Sequence, residues 1–560
     1  MKYTFKNILA AGAVIALTAS CLGDLNTLPL NETDFTSERA YVDEESYLKG
    51  LAYINAYWSF VSQGDPGSSD LNFSDAGQSE LLRQYTLLNE LPTDSFDCSW
   101  GDAYINPIQN QTWSTSDNGA ITAVYTRALK GITLANEFLL QTTEDKLAAR
   151  GHMGFADKVA GFRAEARFHR AMFNFVLMDM FGNPPYALPE NIGGAAPKRI
   201  KRADLFKAIE EECLDLLAEG SAMPKKGEVA YPRPTQGSVA ALLTRMYLNA
   251  EVYTGTARWQ DAKTYAKKVI DMGYTLHTIA SGITRNPYQE LFMDDNTTNG
   301  ANEEFIFAIE YDAIKAQSWG GTTTLCSAAF NEAMAKNLLA ILGIDEETAG
   351  TKLAHGDAWN GYHIDPEYVK IFDLKDVVWD GGENKLGYNI TESDKRAFFY
   401  NGGQTEAPYD KTDNSTGWRC WKWMGIASNG HVRNSSDAEG LYKLSSSDFA
   451  FFRLPEMYLA YAEADARMNG GVVTDTEAIA YIKALRDRAG VDTPSSITLN
   501  WLLDERGREF LWEGQRRQDL IRYGKFTTEK FREIYPILTS DLNANDNLHQ
   551  NDGYTTTEEE

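Results

Sequence analysis

The stretch Asp504-Glu505-Arg506-Gly507-Arg508-Glu509-Phe510-Leu511-Trp512-Glu513-Gly514-Gln515-Arg516-Arg517-Gln518-Asp519-Leu520-Ile521-Arg522 is the densest run of charge in the chain. Glu505, Glu509 and Glu513 fall four apart, so on a helix they form one stripe, with Arg506, Arg516, Arg517 and Arg522 within reach along it. Such a lattice is either an active site or a buried ion network that locks the helix to its neighbours. No nucleophile or metal-ligand motif accompanies it, so the structural role is expected. The spacing predicts one helix from about Thr498 to Tyr523.

Working outward, the same helical period recurs. Leu454, Met457, Tyr458, Tyr461 and Ala462 make one apolar stripe, closed by Gly470-Gly471, and Thr474 with Glu477 is spaced as a capping box opening a helix through Ile482 and Leu485 to Gly490. A similar pair lies about two hundred residues earlier: Ala240, Leu243, Tyr247 and Ala250 up to Gly255, then Trp259, Ala262, Tyr265, Ala266, Val269 and Ile270 up to Gly273. Two such helices with small residues at the crossing look like one tetratricopeptide unit. Arg163 to Phe181 places Phe168, Ala171, Met172 and Phe175 on one face and stops at Gly182 and Pro184-Pro185. The expected fold is mainly α, with tetratricopeptide-like helix pairs as a scaffold. Between roughly 280 and 450 glycines, asparagines and aromatics cluster, which predicts a large irregular region with short strands, Glu304–Ile309 among them, and a helical stretch near Ala328 to Leu342. Long loops on a rigid scaffold are where binding sites usually sit.

The 560 residues carry a formal charge of −26, which disfavours a nucleic-acid partner. Residues 1–20 read as a signal peptide: Lys2 and Lys6 precede the apolar run Ile8–Leu17, and small residues lead to Cys21. Thr18-Ala19-Ser20-Cys21 resembles a bacterial lipobox, with Thr18 where leucine is usual, and predicts lipidation of Cys21 and stable membrane attachment. The remaining chain divides into 21–280 and 281–560, expected to interleave in one body because the two helix pairs come from different halves. Cys98, Cys213, Cys326 and Cys420 show no paired ligand spacing, so a zinc site is not expected, and they are read as free or weakly paired.

A search for catalysis returns no G-x-S-x-G elbow, H-E-x-x-H or phosphate-binding loop. His169 sits within an apolar helix and is read as structural. No catalytic residue, cofactor or metal is assigned.

At the opening run the chain resembles the SusD/RagB family of Bacteroidota surface lipoproteins. Further matches are Thr93-Asp94, Trp100, Gln111-Thr112-Trp113, Ala164–Ala171 through Phe181–Pro185, Asn302–Phe307, Trp359-Asn360-Gly361, Phe452–Leu459 with Ala462-Glu463-Ala464, and Gln550–Tyr554. The segment Asp376–Trp379 departs from the family pattern. The resemblance implies a cell-surface glycan-binding lipoprotein of the outer membrane, facing outward, that captures oligo- or polysaccharide and delivers it to a SusC-like TonB-dependent transporter. A binder of peptides or other nutrients with the same transporter, and a glycoside hydrolase, remain alternatives. Sugar binding calls for flat aromatic faces with polar groups beside them. Trp100, in a loose glycine-containing segment, matches the position from which family members present a stacking tryptophan. Trp319, in Gln317-Ser318-Trp319-Gly320-Gly321, is the second candidate, Trp359 the third, and Asp102 and Tyr104 are candidates for sugar hydroxyls. Trp113, Trp259 and Trp512 are expected in the core.

Overall fold

The computed structural model describes residues 37–62, 67–73, 77–114, 119–342, 358–374, 393–402, 404–405, 407–430 and 444–526. The signal segment and Cys21, Asp376–Trp379 and Gln550–Tyr554 lie outside the described residues. The helices used below are α1 Glu44–Ala56, α2 Leu81–Glu90, α3 Gly119–Gln141, α4 Ala156–Phe181, α5 Arg202–Leu216, α6 Gln236–Leu248, α7 Trp259–Ile270, α8 Gly321–Ser327, α9 Leu454–Met468, α10 Thr476–Ala489, α11 Leu499–Glu509 and α12 Arg516–Arg522. The strands are β1 Asp97–Cys98, β2 Phe305–Ile309, β3 Tyr362–His363, β4 Phe399–Tyr400, β5 Arg419–Cys420 and β6 Phe449–Arg453, joined as three two-stranded sheets.

The protein is mainly helical, as its apolar periodicity predicts. Helix α4 packs on α1, α3 and α5, and its residues Ala171–Asp179 are buried without a break. Helix α6 is buried from Gly237 to Leu248 and packs on α7, which in turn packs on α9, itself paired with α10. The two distant helix pairs therefore stack directly. Arg245 of α6 grips Glu456 of α9 with two hydrogen bonds of 2.7 Å, and Lys263 of α7 reaches Asp465 of α9 at 2.8 Å. A charged pair buried at such a crossing fixes the register of the two pairs, because removing either partner strands the other in a dry interior.

The predicted strand is present as β2, antiparallel to β6 with Phe305 opposite Arg453 and Ile309 opposite Phe449, and buried along its whole length. Glu304 lies in the turn before it and sends its carboxylate to Arg453 and Arg488.

Two expectations are corrected. The run from Thr498 to Tyr523 is two helices, not one. Thr498 does cap the first, but Trp512 (φ 58°) and Gly514 (φ 70°) adopt left-handed backbone and break it before α12. Trp512 is held in this disfavoured conformation by a fully packed indole, 1% exposed, whose Nε1 donates to Ser95 O at 3.2 Å. The cap of α10 is Asp475, whose Oδ1 accepts from Glu477 N at 2.8 Å, while Thr474 N is drawn to Asp465. The carboxylate one residue closer to the first turn takes the cap. The helical stretch expected near Ala328 to Leu342 is present as Glu332–Leu342, which begins after Asn331, whose side-chain oxygen accepts from Met334 N at 2.9 Å.

Cys98, Cys213, Cys326 and Cys420 are free thiols, all buried. His169 is buried between Phe168 and Phe307, and burial pushes its pKa down to about 3, so it is a neutral core residue.

Candidate functional site

Two regions concentrate chemistry-bearing side chains. The first is the acidic stripe. Glu505, Glu509 and Glu513 are buried, and apart from Arg508, which meets Glu505 at 2.7 Å, their partners come from outside the run. Arg396 bonds Asp394, Glu505 and Glu509 at 2.7, 2.8 and 3.1 Å. Arg453 reaches Glu509 at 2.6 Å and Glu513 at 2.7 Å, and Lys422 meets Glu513 at 2.6 Å. The other arginines of the run point elsewhere: Arg506 to Asp519, Arg516 to Asp94, Arg517 to Asp179 and Arg522 to Glu463. Burial opposes ionisation of Glu505, yet Arg396 and Arg508 overcome it and hold its pKa down at about 2. Every acid of the stripe is saturated by cations, which leaves it nothing to offer a ligand.

The second region is aromatic, and the stripe's neighbours build its floor. Gly514 N donates to Glu90 Oε1 at 2.7 Å, Arg516 pairs with Asp94 at 2.6 Å, and the Trp512 ring meets Phe96 edge-on at 5.1 Å. These contacts fix the segment leading into β1. Strand β1 pairs with β3, Asp97 opposite His363 and Cys98 opposite Tyr362, and the pairing continues as Ser99 N donates to Gly361 O at 3.0 Å. Trp100 and Trp359 are thereby brought together although 259 positions separate them in the chain. The Trp100 indole lies on the backbone at Asn360–Gly361, its Nε1 donating to Asn360 O at 3.2 Å. A Cβ on Gly361 would stand 2.0 Å from that nitrogen, so only glycine allows this approach.

Trp319 joins from the other side. Helix α8 follows it in the chain, and Ser327 O at the end of α8 accepts from Trp359 N at 2.8 Å. The ring centroids of Trp100 and Trp359 are 6.4 Å apart and those of Trp359 and Trp319 6.3 Å apart, with Trp359 in the middle. All three indoles are half-buried. Tyr362 backs Trp100 at 5.0 Å, and the Arg83 guanidinium of α2 lies 5.9 Å from the Trp359 ring, within cation–π range. Asp102 is half-buried and accepts from Gln78 Nε2 at 3.1 Å.

Of the sequence-derived site residues, the fold thus gathers Trp100, Trp319 and Trp359 into one arc. Two readings change. Tyr104 is only 9% exposed, and burial pushes its hydroxyl up to about 12, so it supports the face from within rather than offering its hydroxyl at the surface. Trp113 is 42% exposed, not core, because Gln111 turns the chain outward at φ 53°. Trp259 packs partly buried against the core and Trp512 is buried, as expected. Sequence reasoning missed Arg83, Gln78 and Tyr362, which reach the arc only through tertiary packing. Gly361 carried a signal, a glycine directly after Trp359-Asn360. Among the described residues no group of three or more His, Cys, Asp or Glu side chains is arranged to hold a metal ion.

The protein is thus a mainly helical scaffold that presents an aromatic arc on its irregular region. The family model described as "SusD family" matches residues 303–534, and the one described as "Starch-binding associating with outer membrane" matches residues 74–248. Between them the two models match the SusD/RagB family along most of the chain. It is 29% identical to the starch-binding protein SusD of Bacteroides thetaiotaomicron, across 98% of this chain and 99% of that protein. Among solved structures, a SusD homolog from Bacteroides thetaiotaomicron aligns with a TM-score of 0.63 at 18% identity, covering 93% of this chain and 94% of that one. A laminarin-binding SusD-like protein aligns with a TM-score of 0.61 at 19% identity, covering 91% and 96%.

Proposed function

We propose that this protein is a carbohydrate-binding protein of the cell outer membrane, which captures an oligo- or polysaccharide on the Trp100–Trp359–Trp319 arc. The observation that carries this reading is the arc itself: three half-buried indoles in a row, a surface longer than one sugar ring, with the buried Arg83 against the Trp359 ring and the half-buried Asp102 two residues on from Trp100. Indole faces suit the apolar C–H side of a pyranose, and a carboxylate such as that of Asp102 suits its hydroxyls. The likeness to a starch-binding SusD protein and to a laminarin-binding one supports the same ligand class. The protein acts as a binder and not as an enzyme. It is held at the outer membrane, exposed to the exterior, by lipid on Cys21, and hands its glycan to a SusC-like TonB-dependent transporter. The family name that refers to association with the outer membrane supports the location.

The test is a binding screen of the purified protein against soluble starch, laminarin and other polysaccharides, with peptide pools in parallel. Retention by at least one polysaccharide and by no peptide pool is expected. Binding to peptides alone would replace the reading. Attachment is checked by palmitate labelling of wild type and Cys21→Ala, with label expected only in the former. Co-purification of a transporter from native membranes in mild detergent checks the partnership.

A further inference from the structure

Beneath the Trp319 loop lies a carboxyl group that the arc does not itself use. Glu80, the residue preceding α2, is fully buried. Its Oε1 accepts from Tyr311 Oη at 2.6 Å and from Ser318 Oγ at 3.1 Å. Its Oε2 is buried against the Gly320–Gly321 backbone, where no hydrogen bond of good geometry reaches it. The fit there is tight: a Cβ on Gly320 would stand 1.6 Å from Oε2, and one on Gly321 (φ 42°) 1.9 Å from Tyr311 Oη. Trp319 is flanked on both sides by residues that touch this one carboxyl. From the opposite side, a Cβ on Gly77 would stand 2.8 Å from Trp319 O, so that backbone too is closely packed.

We propose that Glu80 is a positioning residue for the Trp319 ring, acting as an uncharged carboxylic acid, and that its ionisation loosens the Ser318–Gly321 loop. Burial raises the Glu80 pKa to about 8, against the opposing pull of the Tyr311 and Ser318 donors, of Arg83 and of the Gly321 backbone N–H. The groups around it are few. Arg83 lies on its own helix, Tyr311 follows β2, and Asp448 engages Tyr311 through the backbone N at 3.0 Å. Arg127 of α3 is committed to Ser79 and to Asp70. A carboxylate formed in this dry site has no well-formed hydrogen bond at Oε2, and the Gly320–Gly321 backbone must shift to bring the Gly321 N–H onto it or to admit water. The effect on glycan capture rests on the proposed function above, whereas the positioning of Trp319 does not.

The experiment is therefore run first without ligand. Acrylamide quenching of intrinsic fluorescence is followed from about pH 6 to about pH 10, and the signal of Trp319 is isolated as the difference between wild type and Trp319→Phe. Trp319 is expected to become more quenchable with a midpoint near 8. Glu80→Gln is expected to abolish the step and keep the low-pH signal. Tyr311→Phe removes a donor to the charged form, so its midpoint is expected to move upward; this variant decides the matter if Glu80→Gln does not fold. A flat wild-type profile, a step that persists in Glu80→Gln, or an unmoved or lowered Tyr311→Phe midpoint would overturn the proposal. In a second arm, soluble starch and laminarin are titrated on both sides of the midpoint. Affinity for whichever binds is expected to fall on the order of tenfold at high pH in wild type and to stay level in Glu80→Gln. A wild type that binds neither counts against the glycan reading, while the fluorescence step still decides the role of Glu80.

Discussion

The acidic stripe and the tryptophan arc lie on two faces of one junction, and they differ in how their capacity for interaction is spent. Glu505, Glu509 and Glu513 are buried and each holds at least one cation, brought from residues 396, 422, 453, 486, 488 and 508. The three indoles are half-buried, and the fold arranges their rings side by side with part of each left exposed. Saturated charge locks structure; flat apolar surface left open to solvent remains available to a partner. The lock also serves the arc, because Trp512, Gly514 and Arg516 hold the Asp94–Phe96 segment from which Trp100 is presented.

The comparison breaks most visibly at Arg453. This side chain serves Glu304, Glu509 and Glu513 at once, so Arg453→Ala leaves three buried acids short of a partner. The expected loss is about 3–5 kcal/mol by chemical denaturation, with glycan affinity unchanged in the folded fraction. A normal denaturation curve with abolished binding would exchange the roles of the two regions.

Acid probes the same lock more gradually. The folded-state pKa of Glu505 and of Glu463 is about 2, below the ordinary 4.5, despite burial, through Arg396 and Arg508 in one case and Arg522 and Arg467 in the other. Groups depressed in this way contribute stability that is fully present above the ordinary value and is lost as pH falls toward 2. The melting temperature is expected to decline steadily across that window, and a stripe variant lacking Glu505 should show a shallower decline than wild type.

Gly361→Ala sharpens the other side. The added methyl has no room beside the Trp100 indole, so the ring must move while remaining in the chain. Glycan binding is expected to weaken by several-fold, up to about tenfold, with little change in denaturation midpoint. Full affinity in that variant would show that the precise seat of Trp100 is immaterial.

Much of the scaffold was legible in sequence because helix faces repeat locally. The stripe of Ala240, Leu243 and Tyr247 and that of Leu454, Met457 and Tyr461 each needed only their own period to be read. The ion lattice was legible in role but not in wiring. Acids four apart announce a buried stripe, whereas Arg396, Lys422 and Arg453 arrive through tertiary folding. The break at Trp512 escaped for a similar reason: its left-handed backbone is tolerated only because Ser95, Phe96 and Tyr362 close around the indole. At the arc, loose glycine-bearing loops marked Trp100 and Trp319. Composition could not separate Tyr104, which folds inward, from Trp113, which the turn at Gln111 sends out to solvent.

The central claim is that the arc, and no other exposed aromatic, receives the glycan. It is tested most directly by isothermal titration of the polysaccharide found in the screen into wild type, Trp100→Ala and Trp113→Ala. Stacking of this kind is worth roughly 1–3 kcal/mol, taking base–aromatic stacking as the nearest scale. Trp100→Ala is therefore expected to weaken binding by about tenfold or more with an unchanged melting curve, and Trp113→Ala to bind as wild type. Unchanged affinity in a well-folded Trp100→Ala protein would contradict the account and move the site elsewhere.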